Sequence, residues 1–151
     1  MMRKTVILFG ICLVWHSAIA AEPSLAGYRL GMSLQDVQST GQGKECDASD
    51  NGGIACAGGQ VQIGSANLWA NFDVIDGRVW RITATGRADE AGTVRRDFSS
   101  RYGQPEIVPV TSKVLNSAGV TGAFRWTGAN TFLTVTTTDG MLFVMLAPIS
   151  K

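Results

Sequence analysis

Leu68-Trp69-Ala70-Asn71-Phe72-Asp73-Val74, then Asp76-Gly77, then Val79-Trp80-Arg81-Ile82-Thr83-Ala84 is the stretch that decides the fold. Two runs of alternating apolar and polar residues flank an Asp-Gly pair, and both residues of that pair tolerate positive φ. This is the pattern of an antiparallel hairpin. A two-residue turn would set Phe72 opposite Arg81 and Asp73 opposite Trp80, mixing polar and apolar side chains on both faces. A three-residue turn with a bulge at Gly77 sets Phe72 opposite Trp80 and Ala70 opposite Ile82. It leaves Asn71, Asp73, Arg81 and Thr83 on the other face. The second register is expected, because a slip of one residue transfers the whole apolar set from core to solvent.

The C-terminal region repeats the device, with Thr131 to Thr137, Asp139-Gly140, and Met141 to Ala147. Leu142, Val144 and Leu146 alternate with Met141, Phe143 and Met145, so the last strand is apolar on both faces and pattern leaves its register open. Further strands are expected at Gly59 to Gly64, Ile107 to Leu115 and Ala123 to Thr127. A helix should start at Ser33, whose hydroxyl can cap it while Asp36 reaches back, and should end after about two turns at Gly41. A second helix is predicted from Glu90 to Tyr102. Val94, Phe98 and Tyr102 recur on one of its faces, with Asp89 as cap and Gly103 as stop. The expected class is α+β: two short helices packed on a largely antiparallel sheet, arranged as two tandem α-then-β units.

The N-terminus carries a different signal. Arg3 and Lys4 precede the apolar run Thr5 to Trp15, and Ala18-Ile19-Ala20 offers a small-x-small cleavage site. A secretory signal peptide over residues 1–20 is expected, with residues 21–151 as a single domain. The apolar run of about 11 residues would rise only ~16 Å as a helix, against a hydrocarbon core of ~30 Å, so no membrane span is expected after cleavage. Ile11 before Cys12 is a poor setting for a lipidated cysteine.

Cleavage removes 20 of 151 residues, leaving 131, and takes Arg3, Lys4, Cys12 and the single histidine, His16. The remainder holds 11 Lys+Arg against 12 Asp+Glu, a net charge of −1. Such a chain lacks the clustered positive charge that grips a phosphate backbone, so nucleic acid is not an expected partner. Cys46 and Cys56, alone in an oxidising compartment, are expected to pair.

Without a histidine or a free thiol, a Ser-His-Asp triad, a Cys-His dyad and a His-ligated zinc are excluded from the processed chain. A carboxylate pair or a Ser-Lys arrangement remains open, the lysines being Lys44, Lys113 and Lys151. Asp73 and Asp76 read more simply as a strand residue and a turn former. Within the cysteine loop, Asp47, Ser49 and Asn51 stand at alternate positions, Gly52 at the sixth and Ile54 at the eighth, as in an EF-hand calcium loop. Its twelfth position is Gly58, where the EF-hand has a bidentate Glu. The expected reading is a polar loop held by the disulfide and no cofactor. Calcium at Asp47, Ser49 and Asn51 is the alternative.

Trp69 falls on the polar face of the hairpin with Asn71 and Arg81, where one hairpin's core gives it no role, and these three are the candidate partner-binding residues. Leu30-Gly31-Met32-Ser33 with Val37 resembles the Gly-Met-Thr/Ser-x-x-x-Val helix start of SmpA/BamE-like envelope lipoproteins, which assist outer-membrane barrel assembly. The doubled α-then-β order is similar in outline to the β-lactamase-inhibitory-protein architecture, which binds other proteins through its sheet face. Together these resemblances imply a non-enzymatic envelope protein. The expected function is a soluble periplasmic or secreted interaction module, an inhibitor or an envelope-assembly accessory, whose partner is another envelope or secreted protein. The alternative is a small exported hydrolase or ligand-binding protein that uses carboxylates.

Overall fold

In a computed structural model, the structure describes residues 21–109, 122–138 and 140–149. The expected signal peptide, Cys12, His16, Lys113, Asp139 and Lys151 lie outside the described residues, as does the stretch beyond Pro109 of the strand expected at Ile107 to Leu115.

A single eight-stranded antiparallel sheet dominates the molecule. Its strands are β1 (Glu45–Ala48), β2 (Ile54–Ile63), β3 (Ala66–Ile75), β4 (Arg78–Arg87), β5 (Glu106–Pro109), β6 (Gly122–Thr127), β7 (Thr131–Thr137) and β8 (Met141–Pro148). Their order in the sheet is β1-β2-β3-β4-β8-β7-β6-β5, two four-stranded meanders joined where β4 pairs with β8. Helix α1 (Leu34–Ser39) precedes the first meander and α2 (Ala91–Tyr102), entered through a 3-10 turn at Ala88–Glu90, precedes the second. The α+β expectation is thereby corrected to a nearly all-β class. The sequence predicts a polar loop at Asp47 to Ile54 and a strand at Gly59 to Gly64. Residues 45–63 instead form β1, a short turn and a ten-residue β2, because cross-strand pairing and the covering core outweigh the low strand propensity of their glycines.

The hairpin that decides the fold adopts neither of the two registers weighed from sequence. Asp76 (φ 50°) and Gly77 (φ 72°) make a two-residue turn, so that Ile75 faces Arg78 and Val74 faces Val79. The register then shifts by one residue on β4, setting Asp73 opposite Arg81 and Phe72 opposite Ile82. The bulge therefore sits at Trp80 and not at Gly77. The physical reason is compatibility. The turn is the tight primed type that Asp-Gly favours, and one extra residue farther up the strand restores the apolar alternation. Ala70, Phe72, Val74, Val79, Ile82 and Ala84 are all buried, whereas Trp80, expected in the core, is only half-buried.

That apolar face continues across the second meander through Val144, Leu146, Leu133, Val135 and Trp126. Both helices cover it. Val37 of α1 and Val94 and Phe98 of α2 join the same buried cluster, and Phe98 meets Trp126 edge-on with ring centroids 5.5 Å apart. The indole Nε1–H of Trp126 donates to the Gly103 carbonyl at 2.8 Å, which satisfies the ring's polar atom at the end of α2. Tyr28 stacks edge-on against Phe72 on the same side.

The ends of both helices follow local chemistry. The Ser33 hydroxyl accepts from the Asp36 amide at 3.0 Å and donates to the Asp36 carboxylate, closing the cap expected there. The cap of α2 is Glu90, where Asp89 was expected. Glu90 accepts from the amides of Arg87 and Asn67, while Asp89 pairs with the Arg87 guanidinium, which holds its carboxyl below the usual range. Segment Gly31–Leu34 takes over the ladder beside the start of β4, with Gly31 N–H donating to Val79 O and Leu34 N–H to Gly77 O. It occupies the edge that β8 leaves open there.

Candidate functional site

Helices α1 and α2 both pack on one side of the sheet and leave the other face without a helix among the described residues. Alternation along β3 puts Trp69, Asn71 and Asp73 on this second face, and the β3–β4 ladder sets Thr85, Thr83 and Arg81 opposite them. The structure therefore brings Trp69, Asn71 and Arg81 onto one surface. Four residues of strand still separate Trp69 from the Asp73–Arg81 rung, about 13 Å. The three candidates form a stripe and do not converge on a point.

Each member of the stripe has a different standing. Trp69 is 56% exposed, the most exposed tryptophan among the described residues. Arg81 is engaged, since its Nε–H donates to the Asp73 carboxylate across the ladder and its guanidinium lies 4.9 Å from the centre of the Trp80 ring. Asp73 is therefore the ion partner of Arg81, which agrees with its reading as an outward strand residue. Asn71 is half-buried between them.

The Cys46–Cys56 disulfide is formed, joining directly opposed residues of β1 and β2. Cys56 is 1% exposed and belongs to the helix-covered core. The bridge consequently lies on the opposite side of the sheet from Trp69, and the two do not make a common surface. Of the candidate calcium ligands, Asp47 is a strand residue paired with Ala55, and Ser49 closes the hairpin by donating its amide to Gly53 O. Asn51 Oδ1 accepts from the Gly53 amide at 3.1 Å. An EF-hand loop starts at its first ligand. Here the first two of the eight matching residues and the last, Ile54, are β-ladder, and the five between them make a tight turn. Among the described residues no group of three or more His, Cys, Asp or Glu side chains is placed to hold a metal ion.

Sequence reading missed the larger feature of the second face. Past β4, this face carries a hollow of about 330 Å³ whose walls include Thr134, Thr136, Phe143, Met145, Arg125 and Phe132. Thr83, Met145, Thr134 and Arg125 form one continuous cross-strand row, with Thr85, Phe143 and Thr136 forming the next. The signal lay in β8. A strand apolar on both faces needs both faces covered, and Phe143 and Met145 are what the hollow shelters. The Arg125 guanidinium lies 5.0 Å from the centre of the Phe132 ring. No carboxylate lines the hollow among the described residues.

No helix among the described residues is long and apolar enough to cross a membrane. Comparison with known proteins found no matching family model, no matching curated protein and no matching solved structure.

Proposed function

We propose that this chain is an exported protein-interaction module that meets another envelope or secreted protein with the helix-free face of its sheet. The observation that carries the reading is Trp69, more than half exposed in the middle of a ten-residue strand whose opposite face is core. A large aromatic left in water costs solvation free energy that a partner surface would recover, and tryptophan is among the residues that most often dominate binding energy. Asn71 and the Thr83 and Thr85 hydroxyls beside it supply the polar contacts of an interface rim.

A periplasmic or secreted location is part of the same proposal. Its support is the signal-peptide pattern of residues 1–20 together with an intramolecular disulfide, which persists in oxidising compartments. The Arg81–Asp73 ion pair gives the stripe a fixed edge and so reduces the ordering cost of association.

Site-specific photocrosslinking in intact cells tests this. A photoreactive residue placed at Trp69 or Thr85 should give a discrete protein adduct, and one placed at Arg96 on the outer face of α2 should not. Equal adducts from both faces, or none from Trp69 and Thr85, would refute the reading.

A further inference from the structure

We propose that the hollow on the second sheet face binds a small apolar monocarboxylate, with Arg125 as the group that holds its charge. Volume comes first: about 330 Å³ lies at the lower end of the range of small-molecule sites, enough for a medium-length alkyl or aryl acid. The walls divide by chemistry. Phe132, Phe143, Met145 and Ala123 offer apolar surface, and Arg125 is the one charged side chain among the described lining residues.

Arg125 is also underused. Its Nε is shut off from solvent and has no hydrogen-bond partner, and among the described residues no carboxylate pairs with it, although Glu106 is its ladder neighbour on β5. A buried guanidinium nitrogen without an acceptor is costly, and a carboxylate is the acceptor that matches its planar fork. Beside it, Thr134 and Thr136 are 8% and 9% exposed, and with Thr83 and Thr85 they make four threonines in a hollow whose other walls are mainly apolar. Threonine hydroxyls donate to a carboxylate oxygen as readily as they accept.

The single positive charge sets the ligand class. A monocarboxylate neutralises it, whereas a dianion would leave an unpaired charge among Phe and Met side chains. A neutral alcohol of the same shape keeps the apolar contacts and loses the charge-assisted ones. An amine brings like charge to Arg125. The hollow and the proposed interface share Thr83 and Thr85 at their border, but Trp69, which carries the protein-interaction reading, is not part of the hollow, so this proposal does not depend on that reading.

Isothermal titration of the purified disulfide-intact protein with octanoate, octanol and octylamine tests it. Octanoate should bind saturably at one site, octanol about tenfold or more weaker, and octylamine not measurably. Arg125→Gln should weaken octanoate by about tenfold or more while leaving octanol within about twofold. Trp69→Ala should leave octanoate binding unchanged, which separates failure of this site from failure of the partner surface. Absence of saturable octanoate binding, octanol binding as tightly as octanoate, or undiminished octanoate binding by Arg125→Gln would each overturn the proposal. The octanoate–octanol comparison on the wild-type protein decides the matter even if Arg125→Gln does not fold.

Discussion

Reduction of the Cys46–Cys56 disulfide is the perturbation whose size the structure fixes most directly. The two cysteines are 10 residues apart and face each other across the β1–β2 ladder. Closing so short a loop removes about 9 cal/mol/K from the unfolded chain, or about 2.8 kcal/mol at 25 °C. For a domain of this length that corresponds to a fall in melting temperature of roughly 10 °C. In the folded state β1 should loosen first on reduction, because it has four residues, is an edge strand and pairs only with β2. Replacing both cysteines by alanine should cost about 1 kcal/mol more than reduction, since Cys56 is buried and its sulfur leaves a void. Thermal melts with and without dithiothreitol, after thiol titration shows both sulfurs free, measure the effect. Hydrogen exchange should show the amides of Glu45–Ala48 losing protection before those of β3 and β4. A reduced protein that melts within about 2 °C of the oxidised one would refute the reasoning, since the closed loop would then constrain nothing in the unfolded chain.

Other outcomes follow from single contacts. Trp69→Ala should change stability by no more than about 0.5 kcal/mol in denaturant titration, because its ring is mostly in water, while abolishing the crosslinked adduct. Gly58→Ala should cost about 2–3 kcal/mol by the same assay, since its Cβ would come 2.7 Å from both the Ala70 carbonyl oxygen and the Phe72 ring. Glu22 accepts from the Thr131 hydroxyl and the Asn130 amide, and chiefly through the Thr131 bond its pKa falls below the ordinary 4.5. Its contribution is therefore present above pH 4.5 and lost as pH falls through the lower folded value. Solvent screening keeps that contribution below about 1 kcal/mol, and Glu22→Gln should flatten this part of a stability-against-pH curve.

Features that rest on local chemistry were legible in the chain. Asp76-Gly77 required a tight turn because few other pairs accept positive φ at both positions, and Ser33 with Asp36 closed a helix cap within four residues. The alternation from Leu68 to Val74 sorted Trp69, Asn71 and Asp73 away from the core without any knowledge of what the core contained. Cys46 and Cys56, the two cysteines beyond the expected signal peptide, pointed to the disulfide that the structure shows.

Tertiary structure alone decided the rest, because the deciding partners are far apart in the chain. The bulge at Trp80 depends on Phe72 and Ile82 both finding cover under the helices, and a hairpin read in isolation has no helices. Residues 47–54 match the start of a calcium loop by spacing. Pairing of the segments at either end of that match with one another, and of the second with β3, makes them two strands, which is why a two-helix α+β reading gave way to an eight-stranded sheet. The hollow is the clearest case. Arg125, Thr134, Met145 and Thr83 come from four strands and meet only because β8 returns to pair with β4, and no spacing within any one of those strands encodes that meeting.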